Sequence, residues 1–454
     1  MQDTTHIDVL IEARWVIPVD NHRSVLNNHA IAIHQGKIID ILPIHQAQSK
    51  FNPEKAFFLH NHALIPGLVN LHTHAAMILL RGLADDLPLM EWLNQHIWPT
   101  ETRHVNESFV RDGTHLACAE MLRSGITCFN DMYFFPEASA QAVLDVGMRA
   151  AIGMIAIDFP TAYASDADDY LAKGIALRDT LHPNPLLSFC FAPHAPYTVG
   201  DKALTDILTY AEQLESPIHI HLHETTDEIS IGLKTYGKRP IEHLHQLGML
   251  GPSLIAVHMA HLTDQEIELL KQHGCHIAHC PSSNLKLASG FAPITTLLDN
   301  GINVGLGTDS AASNNRLDIL EEMRLAALLA KAYSKRADAL PAHQALEMAT
   351  INGARALGID AITGSLEPGK AADITALDFS DLHLLPCYDP VSHLVYAAGR
   401  DQVSHVWVNG KILLENKQLI TLDSTALYNR AAYWEECIKS THNLTDNNQP
   451  GKSQ

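Results

Sequence analysis

Between residues 64 and 362, short apolar runs alternate with longer stretches whose apolar positions recur every three to four residues. The first kind reads as strands, at 64–70, 126–130, 150–157, 186–192, 218–223, 254–258, 276–279 and 302–308. The second reads as helices, for example at 108–124, 203–214, 263–273 and 317–332. Eight strands separated by helices over about 300 residues suit a (β/α)8 TIM-like barrel of the α/β class. An open doubly wound sheet fits the same alternation, but no Gly-x-Gly-x-x-Gly turn follows the first strand.

The two chain ends carry a different pattern. Ile7-Asp8-Val9-Leu10-Ile11 and Ala30-Ile31-Ala32-Ile33 alternate, and Gln35-Gly36-Lys37 supplies a turn before Ile38. Near the other end, Ala372-Asp373-Ile374-Thr375-Ala376-Leu377-Asp378 and Val403-Ser404-His405-Val406-Trp407-Val408 are strand-like, and Asn409-Gly410 is a strong hairpin signal. Neither end has enough strands to bury a sheet face alone. The expected organisation is therefore a composite β-sandwich domain from 1–63 and 363–425, a barrel over 64–362, and a C-terminal helix over 426–454 whose polar end, from His442 to Gln454, is mobile.

Composition narrows the function classes. A formal net charge of −20 argues against nucleic acid or an anionic membrane as partner, while leaving a small substrate open. No run approaches the ~20 apolar residues that span a bilayer, and the first residues lack the basic start and apolar core of a signal peptide. Seven cysteines, odd in number and without a Cys-x-x-Cys pair, fit reduced thiols. A cytoplasmic location is expected.

The chemistry concentrates at strand ends. Leu64-Ile65-Pro66-Gly67-Leu68-Val69-Asn70-Leu71-His72-Thr73-His74 ends in two histidines one residue apart. Positions i and i+2 of a strand point the same way, so His72 and His74 can address one point. With 29 histidines in 454 residues, such a pair counts only if other strand ends add ligands. Ile218-His219-Ile220-His221-Leu222-His223-Glu224 adds three same-face histidines and a carboxylate, the sixth strand ends in His258, and the eighth in Thr308-Asp309. The C-terminal strand ends of a barrel face its active site. Three imidazoles and a carboxylate with one position open to water make a catalytic metal site, which lowers the pKa of bound water from about 15.7 towards 7.

These residues, together with Gly307-Thr308-Asp309 and Gly364-Ser365-Leu366-Glu367-Pro368-Gly369-Lys370-Ala371-Ala372-Asp373, resemble the amidohydrolase superfamily over nearly the whole chain. Three further stretches resemble its 5-methylthioadenosine/S-adenosylhomocysteine deaminases: Met77-Ile78-Leu79-Leu80-Arg81-Gly82-Leu83-Ala84-Asp85-Asp86-Leu87, Ala192-Pro193-His194-Ala195-Pro196-Tyr197 and Ser282-Ser283-Asn284-Leu285-Lys286-Leu287. Triazine chlorohydrolases and 8-oxoguanine-type deaminases are close neighbours. The resemblance implies one Zn2+ per chain, with Fe2+ or Mn2+ as alternatives, held by His72, His74, His221 and Asp309. Asp309 would also take a proton from the attacking water, Glu224 would protonate a purine ring nitrogen and shuttle protons, and His258 would polarise the hydroxide or the developing oxyanion. Glu101 and His194 would read the nucleoside, which Glu224 and Asp309 also touch.

The expected reaction is hydrolytic removal of the 6-amino group of 5′-methylthioadenosine, or of adenosine or S-adenosylhomocysteine, giving an inosine-type product and ammonia. A purine nucleoside and further copies of the chain, as a homo-oligomer, are the expected partners. One alternative is a hydrolase of a free base or triazine, such as a guanine or 8-oxoguanine deaminase; another is an inactive barrel used as a binding module. His219 is read as a deeper barrel-layer residue, His223 as lying just outside the ligands, and His279 as a loop-fixing residue. Arg149 is read as a helix-end cation rather than a partner for a substrate carboxylate, which favours methylthioadenosine or adenosine over S-adenosylhomocysteine. Leu87, Met90, Trp92, Leu93 and Trp98 are candidates for an apolar pocket around the 5′ group, or for an apolar helix face.

Overall fold

Two eight-stranded sheets organise the chain, of which a computed structural model describes residues 4–446. The strands are β1 (Thr5–Val16), β2 (Leu26–His34), β3 (Lys37–Pro43) and β4 (Phe51–Pro66), then β5 (Leu68–Thr73), β6 (Ile126–Asp131), β7 (Arg149–Ala156) and β8 (Leu187–Pro193). After these come β9 (Ile218–Leu222), β10 (Leu254–His258), β11 (His276–His279) and β12 (Asn303–Leu306), and finally β13 (Ile374–Asp378), β14 (Val403–Val408), β15 (Lys411–Glu415) and β16 (Gln418–Leu419).

Strands β5 to β12 pair in chain order, all parallel, with helices between them. This is the expected (β/α)8 barrel. Its strands are buried along almost their whole length, as parallel strands are when helices cover one face and side chains fill the interior. The covering helices start and stop on local signals. Thr263 and Glu266 form a capping box for the helix Asp264–His273, and Gly274 ends it at φ +69°.

The ring closes between β12 and β5. The Asn70 amide donates to Thr308 Oγ1 at 2.8 Å and its carbonyl accepts the Thr308 N–H at 2.9 Å. The Asp309 N–H then donates to the His72 carbonyl at 2.9 Å. A Cβ at Gly305 would lie 2.8 Å from Leu71 Cδ2, so glycine is what lets the last strand come this close to the first.

The chain ends form the second sheet, in the order β16-β15-β14-β13-β4-β1-β2-β3, with only β1 and β4 parallel. The β4–β13 pairing, with Ala376 opposite Leu64, joins the two ends. The Gln35-Gly36 and Asn409-Gly410 turns have positive φ at both residues, the conformation that two-residue hairpins favour. They sit on opposite arms of the sheet yet touch: a Cβ at Gly36 would lie 2.8 Å from the Asn409 carbonyl oxygen. The sheet therefore folds back on itself as a sandwich over a shared core that includes Ile31, Leu64 and Trp407.

Two sequence expectations need correction. The apolar run at 64–70 is not one strand. Leu64 and Ile65 finish β4 in the sandwich, and β5 begins at Leu68 in the barrel. The chain crosses at Gly67, whose N–H donates to the Asp373 carbonyl at 2.9 Å and where a Cβ would lie 2.0 Å from Thr127 Oγ1. Arg149 is not a helix-end cation either. It opens β7, and its Nε and Nη2 donate to the Asp373 carboxylate at 2.8 and 3.3 Å, with Nη1 on the Pro185 carbonyl at 2.7 Å. The pair is buried and stitches barrel to sandwich. The helix Ser424–Asp446 ends the described chain and takes in the first part, 442–446, of the expected mobile tail, whose remainder lies outside the described residues. Among the described residues no helix is long and apolar enough to cross a membrane.

Replacing Arg149 with Met leaves the Asp373 carboxylate buried without its counter-charge. Equilibrium denaturation should show a loss of ~3–5 kcal/mol, and a loss well under ~1 kcal/mol, the level of an exposed pair, would contradict the stitch.

Candidate metal centre

Four side chains from both sides of the barrel seam and from the opposite wall converge at its C-terminal end. His72 closes on this point from β5, His74 from just past it, His221 from β9 and Asp309 from just past β12. His221 Nε2 lies 3.2 Å from His72 Nε2 and 3.3 Å from His74 Nε2. Asp309 Oδ1 lies 3.3 Å from His72 Nε2 and 3.4 Å from His74 Nε2. Ligands held tetrahedrally at about 2.0–2.1 Å from one ion stand about 3.3 Å apart. Four of the six edges of this cluster, those joining His221 and Asp309 to the His72/His74 pair, have that length.

Proton bookkeeping points the same way. His74 Nδ1 lies 2.5 Å from the Met132 carbonyl and His221 Nδ1 2.7 Å from the His194 carbonyl. Both rings therefore carry their proton on Nδ1 and turn a lone pair inward. Burial pushes the His72 pKa down to about 4 and that of His221 well below the usual value, so neither turns cationic to relieve the crowding. Burial alone would raise the Asp309 carboxyl, and a cation shared with the neighbouring imidazoles would hold it ionised. Its other oxygen accepts hydroxyls from Ser283 at 2.6 Å and Ser313 at 2.8 Å. Inward lone pairs around a carboxylate at this spacing fit a divalent cation of the zinc type.

Around this point stand the expected acid–base groups. His258 Nδ1 lies 2.8 Å from Asn284 Oδ1, and its Nε2 lies 3.7 Å from Glu224 Oε2. Burial raises the Glu224 pKa, while Ser289 donates to Oε1 at 3.2 Å. The buried Glu228 carboxylate accepts the N–H groups of His223 and Glu224, both at 2.8 Å, and so fixes the turn that presents Glu224. His258 and Asp309 sit at φ +74° and +59°, a conformation uncommon for side-chain-bearing residues and frequent at functional sites.

The centre opens into a cavity of about 380 Å3. Glu101 and His194 line it, as do Ser310 and Ser313. Glu101 accepts the Tyr133 hydroxyl at 2.8 Å, and burial, partly offset by that bond, raises its pKa to about 7. His194 Nδ1 lies 3.0 Å from Thr198 Oγ1, and burial lowers its pKa to about 3. Trp92, Leu93 and Trp98 form part of the apolar wall, whereas Leu87 and Met90 do not line it. No Lys or Arg is among the described lining residues.

Of the two histidines that flank His221, His219 lies deeper in the barrel and only the reading of His223 needs correction. His219 sits directly behind His72, with its Nε2 2.9 Å from His72 Nδ1. His223 turns away, its Nδ1 facing the His261 carbonyl and its Nε2 accepting the Ile241 N–H. His279 is buried at the end of β11, but its Nδ1 meets no partner among the described residues, so no loop bond is seen at that atom. Asn70 and Tyr133 were missed because they act across the fold, whereas Ser313 and Glu228 bond Asp309 and the His223–Glu224 turn only four or five residues away and were missed because no motif marked them. Ser283 and Asn284 lay inside a quoted motif without a role.

The pattern of the amidohydrolase family matches residues 63–413. A Saccharophagus degradans protein named 5-methylthioadenosine/S-adenosylhomocysteine deaminase is 49% identical over 440 residues, covering 97% of this chain and 99% of that protein. A Methanosarcina mazei protein named 5′-deoxyadenosine deaminase is 40% identical over 424 residues, covering 93% and 96%. The crystal structure of an adenosine deaminase from Xanthomonas campestris with bound zinc is similar at a TM-score of 0.95 and 47% identity, covering 96% of this chain and 100% of that one.

Elemental analysis of chelator-washed, zinc-reconstituted protein should give close to one ion per chain. His74→Ala and His221→Ala should fall well below that, while Glu224→Gln should not. Full occupancy in both histidine variants would remove them from the ligand set.

Proposed function

The chain belongs to the amidohydrolase family, and from that premise we propose that it hydrolytically removes the 6-amino group of 5′-methylthioadenosine or a similar 5′-substituted adenosine, with one zinc ion held by His72, His74, His221 and Asp309. The observation that carries this reading is the meeting of a metal-type donor set with a buried acid, Glu224, and a buried base, Asp309, at one end of a largely apolar cavity. The ion supplies Lewis acidity and makes water a nucleophile at neutral pH.

The protein's own groups handle the protons. Water oxygen bonds to C6, and Asp309 takes the proton it sheds, its second oxygen steadied by Ser283 and Ser313. Burial raises the Glu224 pKa, and its carboxyl delivers a proton to the adjacent ring nitrogen as the C6–N1 double bond opens. His258, tied through Nδ1 to Asn284, aims Nε2 at the attacking water. The amine then takes the proton that Asp309 holds and leaves as ammonia, and the C6 hydroxyl returns its proton to Glu224 as it becomes the carbonyl of the inosine-type product. Glu101 accepts the ribose hydroxyls, and His194 offers the nitrogen that Thr198 leaves free. Trp92, Leu93 and Trp98 surround an uncharged 5′ group.

A substrate panel read by ammonia release tests this directly. Methylthioadenosine, adenosine and 5′-deoxyadenosine should turn over, whereas guanine and a chlorinated triazine should not; the reverse pattern overturns the substrate reading and leaves the metal centre standing. S-adenosylhomocysteine should have a kcat/KM at least ~10-fold below methylthioadenosine, because its carboxylate finds no Lys or Arg among the described residues that line the cavity. Glu224→Gln should lose ~100-fold or more in kcat; near-normal turnover would take the proton shuttle away from Glu224.

The Glu101 carboxyl carries a pH signature. As pH falls through about 7 it gains a proton and loses an acceptor oxygen, so KM for the nucleoside should rise on the acid side. Glu101→Gln should raise KM by ~10- to 100-fold and abolish that acid-side rise. A KM profile unchanged by the substitution would show that Glu101 does not hold the ribose.

A further inference from the structure

Behind His72 stands a histidine that the proposed chemistry does not use. His219 is fully buried on β9, two residues before His221, and does not line the cavity. Its Nε2 lies 2.9 Å from His72 Nδ1, while its own Nδ1 is buried and meets no hydrogen-bond partner among the described residues.

A neutral imidazole carries one N–H and one lone pair. For His72 to turn its Nε2 lone pair towards an ion, its proton must sit on Nδ1, and a buried N–H needs an acceptor. His219 Nε2 is within hydrogen-bond reach and fills that need. The opposite assignment has His219 donating. It would force the His72 proton onto Nε2, which lies 3.2 Å from His221 Nε2 and 3.3 Å from Asp309 Oδ1, where an ion would stand.

The other two imidazoles differ in this respect. His74 and His221 lean on backbone carbonyls, which no substitution removes. His72 leans on a side chain. By accepting at Nε2, His219 must also carry its own proton on Nδ1, the atom left without a partner. That unpaired N–H costs stability in the absence of an ion and is intelligible only if holding His72 in one tautomer matters.

We infer that His219 is a positioning residue that fixes His72 as the Nδ1–H tautomer, so that metal affinity depends on an acceptor at the place of His219 Nε2. This rests on His72, His74, His221 and Asp309 being the ligand set. Metal-ligating histidines commonly have their second nitrogen fixed by such a partner, whose loss weakens binding ~10- to 100-fold.

The test is the zinc dissociation constant of the full chain, measured by competition with a chromophoric chelator, for wild type, His219→Gln, His219→Asn and His219→Leu. The glutamine carbonyl reaches about where Nε2 stands, asparagine is too short, and leucine has no acceptor. His219→Gln should stay within about threefold of wild type, and His219→Asn and His219→Leu should weaken by ~10- to 100-fold. The visible spectrum of the Co2+-loaded protein should be unchanged in His219→Gln alone. If His219→Leu does not fold, the Gln and Asn variants decide the matter. Equal affinities for Gln and Asn, or a Leu variant within threefold of wild type, overturn the inference while leaving the ligand set intact. A wild type that binds no zinc overturns the ligand set, and this inference with it.

Discussion

Inward-facing imidazole lone pairs and a carboxylate cannot stand 3.2 to 3.4 Å apart in a dry interior without a positive charge between them. That constraint explains the rest of the barrel's upper end. His74 and His221 are turned inward by backbone carbonyls, and Asp309 is kept ionised and held by Ser283 and Ser313. The cluster also depends on closure of the ring. Asn70 grips Thr308 across the seam between the last strand and the first, and the residue after Thr308 is Asp309. The bond that shuts the barrel also brings Asp309 to the His72/His74 corner.

The cavity extends the same logic to the proposed substrate. Its walls are mostly apolar, with polar groups confined to a few places, which is how small-molecule sites combine affinity with orientation. Burial raises both Glu101 and Glu224, but their surroundings differ. Glu224 faces His258 and the metal centre, where a held proton is useful, whereas Glu101 faces Tyr133 farther out, where a charge would grip hydroxyls. The net charge of −20 does not enter here, because the fields that matter are local.

Much of this was legible in the chain. The alternation of strands and helices gave the barrel, the two alternating ends gave the folded-back sheet, the strand ends marked where the histidines gather, and the resemblance to the amidohydrolases singled out His72, His74, His221 and Asp309 among them. What could not be read was set by partners distant in sequence. The run at 64–70 is uniformly apolar, so nothing in its pattern marks Gly67 as the crossing between two sheets; the close approach of Thr127 does. Arg149 looked like a helix-end charge because Asp373 is 224 residues away. His219 and His223 share strand parity with His221. The backbone turns at His223, φ +54°, which separates His219, standing behind His72, from His223, facing the His261 carbonyl.

The central claim is that one cation is held by three imidazoles and one carboxylate. X-ray absorption at the zinc K-edge of the reconstituted protein measures this most directly. The expected first shell is three imidazole nitrogens and one or two oxygens at about 2.0–2.2 Å, with no sulfur. A sulfur neighbour near about 2.3 Å, or scattering from fewer than three imidazole rings, would contradict the account.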